Sequence, residues 1–73
     1  MVTLKNFIVS NETPIGEDKY SNTITLILTT NIPNVADFSA NIQVECDNAL
    51  TGFEVDAKRQ TEIDAFILET YNS

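Results

Sequence analysis

The plainest pattern in the chain is an alternation. Phe38, Ala40, Ile42, Val44 and Cys46 fall on one parity, and Ser39, Asn41, Gln43, Glu45 and Asp47 on the other. Such strict period-two alternation predicts a strand with one buried and one wet face. A second strand carries Ile24, Leu26 and Leu28 on one parity, with Thr23, Thr25 and Thr29 opposite; Ile27 is the apolar exception on the polar side. Threonine is β-branched and suits a half-exposed strand face. Asn31-Ile-Pro-Asn34 ends this strand, because Pro33 has no N–H for a ladder. A first strand is predicted from Val2 to Ser10. Val2, Leu4 and Ile8 share one parity there, and Phe7 and Val9 the other, so its inward side is ambiguous. Asn11 to Lys19, with Pro14 and Gly16, reads as a loop.

After the turn residues Asp47-Asn48 and Thr51-Gly52, Phe53 to Asp56 is short enough to return as a fourth strand, with Phe53 and Val55 on one parity. The remainder is predicted helical, with Asp56 as N-cap before Ala57. Ile63, Phe66, Ile67, Thr70 and Tyr71 form a buried stripe at helical spacing, with Lys58, Glu62, Ala65 and Glu69 opposite. The order β-β-β-(β)-α predicts an α+β fold, a small antiparallel β-meander of three to four strands with one C-terminal helix packed on its apolar face. With 73 residues, one small domain spanning 1–73 is expected.

Composition narrows the chemistry. The chain has no histidine, no tryptophan, one cysteine and two glycines. A Ser-His-Asp triad, a Cys-His pair and a histidine-ligated metal are therefore outside its own means. Gly16 and Gly52 make no phosphate loop, and Asp47-Asn48 lacks the spaced ligands of an EF-hand. Cys46 lies on the inward parity between Glu45 and Asp47, which suits a small core hydrophobe rather than an activated thiol. A general acid and base need a cleft that shifts one pKa, and so small a core leaves little room for one. The expectation is a non-enzymatic protein without cofactor or metal. Thr23, Thr25, Thr29 and Thr30 lack the regular repeats of an ice-binding array. Asn11-Glu-Thr13, a formal glycosylation sequon followed by Pro14, is read as chance. The lone cysteine makes reduced cytoplasm the simplest compartment. The longest uninterrupted apolar run is Ala65–Leu68, far short of a membrane span, and the first ten residues lack the signature of a secretory signal peptide.

Charge is the remaining signal. The net charge is −7. Residues 1–36 hold Glu12, Glu17 and Asp18 against Lys5 and Lys19. Residues 37–73 hold Asp37, Glu45, Asp47, Glu54, Asp56, Glu62, Asp64 and Glu69 against Lys58 and Arg59, so −6 falls in the second half. Such a chain is repelled by nucleic acid and anionic membranes and attracted to a basic protein surface, including that of a nucleic-acid-binding protein. A hairpin closed around Asn48–Thr51 sets Glu45 opposite Glu54, with Asp47 and Asp56 on the same wet face. The candidate partner-binding residues are Glu45, Asp47, Glu54, Asp56, Glu62 and Glu69. The plain reading of this patch is a solvated face that aids solubility; the sharper one is imitation of a phosphate array. Lys58 and Arg59, expected in the first helical turn, oppose the macrodipole; Lys58 pairing with Glu62, or a contact with an acidic partner group, would account for them. Leu68 and Ile27, apolar on wet faces, support the alternative of a structural or accessory subunit that self-assembles, as a homodimer or beyond, through sheet edges or the helix face.

Size, acidity and the meander-plus-helix pattern resemble the small phage-encoded inhibitors of bacterial defence, including anti-restriction and anti-CRISPR proteins. The resemblance is one of type, covers no specific motif, and carries over no residue role.

Overall fold

A computed structural model describes residues Met1–Ser73. Four strands, β1 (Val2–Val9), β2 (Thr13–Pro14), β3 (Lys19–Thr30) and β4 (Phe38–Asp47), precede one helix, α1 (Gly52–Tyr71). All pairings are antiparallel. β3 is central, with β1 and then β2 end to end along one side and β4 along the other. This is the expected α+β meander with a C-terminal helix. The loop expected over Asn11 to Lys19 contains the two-residue β2.

The ambiguous face of β1 has a local cause. Leu4 pairs with Leu28 and Phe7 with Leu26, so one residue too many lies between, and the register shifts at Lys5. This bulge exchanges the inward parity from Val2 and Leu4 to Phe7 and Val9. Apolar residues on both parities thus meet the same face of β3. Ile8, left on the outer parity, is exposed. On β3 the inward parity comprises Asn22, Ile24, Leu26 and Leu28, all buried. β4 adds Val44 and Cys46, and its odd-numbered side chains face solvent as expected.

The fourth strand does not form. Thr51 caps a helix that begins at Gly52: its hydroxyl accepts from Glu54 N at 3.2 Å, and Glu54 Oε1 accepts from Thr51 N at 3.1 Å. This reciprocal capping box satisfies two otherwise orphaned donors. It displaces Asp56 as N-cap and puts Lys58 and Arg59 in the second turn rather than the first. Val55 then falls on the buried stripe with Ile63 and Ile67, while Thr70 and Tyr71 are exposed. Phe38 and Phe66 meet the Tyr71 ring edge-on at 5.5 and 5.9 Å, so Tyr71 closes the end of the core rather than entering it. The core is Ile24, Leu26, Leu28, Val44, Cys46, Val55, Ile63 and Ile67. α1 covers one face of the sheet; the other is bare and carries Thr23, Thr25, Ile27 and Thr29 along its centre. The molecule measures 47 × 19 × 18 Å.

Candidate functional site

The early start of α1 dismantles the expected hairpin patch. Glu45 stands opposite Ser21, and Asp47 opposite Lys19, on the bare face of the sheet. Glu54 is on the helix and committed to its cap. Asp56 projects from the helix with Arg59 NH1 4.0 Å away. No row of four carboxylates forms.

A different acidic grouping takes its place along the outer side of β4. α1 passes beside this strand, and two adjoining hollows lie between them. One, of about 270 Å³, is lined by Ile42, Gln43, Glu62, Ala65, Phe66 and Glu69. The other, of about 390 Å³, is lined by Gln43, Val44, Glu45, Lys58 and Glu62. Gln43 and Glu62 belong to both, so the hollows form one groove. The structure thus brings Glu62 and Glu69 together along α1, with Glu45 at the strand edge and its side chain on the bare-face parity, and leaves Asp47, Glu54 and Asp56 outside. Glu45, Glu62 and Glu69 make no salt bridge and no side-chain hydrogen bond. The one base in the groove, Lys58, does not pair with Glu62; its Nζ donates to the main-chain carbonyl of Glu45. The groove therefore offers carboxylates in excess of its one ammonium at the rim and apolar surface at its floor, which suits a cationic side chain with an aliphatic stem.

A polar cluster sits at the other end of the sheet's covered face. Asn22 is 2% exposed, beside Ile24 on the inward parity. Its amide donates to Ser10 O at 2.9 Å and accepts from Arg59 NH2 at 2.8 Å. A buried amide needs partners, and Arg59 supplies one across 37 residues of sequence. Arg59 is accordingly a helix-to-sheet tie, not a free cation, although its Nε is buried without a partner. Arg59, Asp56, Tyr20 and Glu12 border an open cavity of about 560 Å³. Partial desolvation, with smaller contributions from Cys46 and Glu12, pushes the Tyr20 phenol above its ordinary value, while Arg59 opposes the shift. Asn22 is absent from the acidic candidates, yet the sequence carries its signal: a polar residue extending an otherwise apolar parity asks for a buried partner.

Lys5 Nζ and Asp37 Oδ2 form an ion pair at 2.7 Å. Their hydrogen bond raises the Lys5 pKa and, with help from Thr29, lowers that of Asp37. Cys46 is 1% exposed and packs as a core residue. No three Asp, Glu or Cys side chains converge as a metal-ligand set, and no helix is long and apolar enough to cross a membrane. Comparison with family models, curated proteins and solved structures finds no match to this chain.

Proposed function

We propose that this chain is a non-enzymatic acidic binding module that occludes a basic surface of a larger protein, such as the nucleic-acid-binding face of an enzyme. The observation that carries the reading is the groove beside β4, where Glu62 and Glu69 stand without ion-pair partners, with Glu45 unpaired at the adjoining strand edge and the nearest base, Lys58, hydrogen-bonded to main chain. Unpaired carboxylates along one groove favour a cationic partner, and much of that attraction is screened by salt. Inhibition by occlusion is the mode of the phage anti-defence proteins that the chain resembles in type, and the proposal extends to that role in the cytoplasm. The test is capture from host lysate at low and high salt, read by mass spectrometry, with the wild-type chain and a Glu45→Lys/Glu62→Lys/Glu69→Lys variant. A basic nucleic-acid-binding protein held by the wild type at low salt, and lost in high salt or with the variant, is the expected result. Equal capture by both chains overturns the reading.

The second reading is self-assembly as an accessory subunit. It is favoured by the unpaired edge of β4 and by Leu68, 58% exposed in a hollow shared with Met1, Val2 and Leu4. It predicts a concentration-dependent oligomer in sedimentation that Leu68→Ser weakens.

A further inference from the structure

β4 is hydrogen-bonded on one side only. In an antiparallel ladder, main-chain groups point alternately to the two sides of a strand. Ser10 N donates to Thr23 O, and Asn48 N to Asp18 O. Odd-numbered residues of β3 therefore bond toward β1, and even-numbered ones toward β4. It follows that Ile42 and the other even-numbered residues of β4 bond inward, while Ser39, Asn41, Gln43 and Glu45 direct N–H and C=O outward. The Lys58 contact to Glu45 O agrees with this parity. The outward groups of Ser39, Asn41 and Gln43 have no protein partner. They run beside the groove, which has Ile42, Ala65 and Phe66 at its middle and Glu62 and Glu69 above.

We infer, building on the acidic-surface reading above, that this edge docks an extended basic segment of the partner, which adds to the sheet as a strand beside β4. The segment carries lysine or arginine at positions i and i+4 and an apolar residue at i+2. Same-face residues i and i+4 of a strand are about 13 Å apart. Glu62 and Glu69, seven residues apart on a helix, are separated by about 10 Å of rise. Flexible basic side chains span that difference, and the apolar residue between them meets Ile42, Ala65 and Phe66. Main-chain bonds to the edge supply affinity, and the groove selects the alternate side chains. A second copy of the chain is the poorer occupant. Each copy carries −7, and pairing β4 with β4 sets the unpaired Glu62 and Glu69 of both copies along one seam, where like charges repel.

The probe is a dye-labelled acetyl-Thr-Lys-Thr-Val-Thr-Lys-Thr-amide peptide, titrated with the full chain by fluorescence anisotropy. Gln43→Pro removes an outward N–H and leaves the β3 ladder whole; circular dichroism and thermal melting establish that it folds. Binding is expected to weaken about tenfold or more with Gln43→Pro, with Glu62→Lys/Glu69→Lys, and with a peptide N-methylated on alternate amides, in one of the two possible phases only. If both N-methylated peptides and Gln43→Pro bind as the parents do while the charge-reversed chain does not, strand addition is overturned and the acidic-surface reading stands. If charge reversal has no effect, or the wild type fails to bind the peptide, the inference is overturned; binding indifferent to charge reversal overturns the acidic reading as well. A sedimentation dimer that the peptide does not dissociate replaces the basic segment with a second copy.

Discussion

β1 and β4 flank the same central strand, yet their outer edges are finished differently. β1 is broken by the bulge at Lys5, whose side chain is tied to Asp37. Its line is continued by β2, which ends in Pro14 and so lacks one donor. Asn72 turns its side-chain amide onto Val2, accepting from Val2 N at 2.9 Å and donating to Val2 O at 2.8 Å. β4 runs from Phe38 to Asp47 in unbroken register with Leu28 to Lys19, with no proline, lysine or bulge, and Lys58 covers one outward carbonyl. Bulges, proline and lysine are the means by which natural sheets discourage pairing at an edge. One edge of this sheet is closed by three such features, and the other is left open beside an acidic groove. The difference locates the surface on which a partner strand can add.

The sharpest way to break the comparison is to misplace a proline on β4. Ile42→Pro removes an inward ladder bond and strands its acceptor on β3, at an expected cost of about 3 kcal/mol, whereas Gln43→Pro costs far less. Urea denaturation of the two variants tests the parity of β4 directly, and equal destabilisation would refute it. Next in size is Leu4→Ala, which trims a side chain that the bulge keeps on the inward face opposite Leu28; Leu4 is partly buried, so a loss of about 2 kcal/mol is expected in the same measurement. Val44→Ala on the better-buried β4 should cost about 2 kcal/mol, and Val9→Ala on β1 under about 1 kcal/mol, since Val44 is 2% exposed and Val9 is half-buried.

The smallest effect belongs to the Lys5–Asp37 tie. Asp37 is depressed below its ordinary 3.8, so its contribution is present above that pH and is lost as pH falls through the lowered value. Lys5 is raised above 10.5, so its share is present below that pH and is lost as pH climbs through the raised value. The difference in urea midpoint between the wild type and Asp37→Asn should therefore be small, level between these limits, and smaller beyond either. A difference that grows below pH 3.8 would contradict the pairing.

The same two strands show what a sequence reveals. β4 was legible because its inward and outward environments alternate without interruption. β1 was not, because a bulge exchanges parity within eight residues and nothing in Leu4-Lys5-Asn6 announces it. Phe53 and Val55 mimicked a strand because two apolar residues at spacing two fit either element; Thr51-x-x-Glu54, the capping signature, was the better guide and was passed over. That one boundary carried the binding surface with it. Glu45, Glu62 and Glu69 were legible as acidic candidates, but the placing of Glu62 and Glu69 beside Gln43 depends on how α1 crosses the sheet, which no local pattern encodes. Glu54 differs from the expected free surface charge because its carboxylate is held by Thr51 N and Oγ1 at the helix start.

The Asn72 amide on Val2 couples two distant segments in time as well as in space. Val2 N–H points away from β3, so no neighbouring strand shelters it from solvent. Its exchange with deuterium is slowed only while Asn72 holds it, and Asn72 is held by its own main-chain bonds to Ile67 and Leu68. Exchange at this one amide is thus a clock for fraying of the last helical turn.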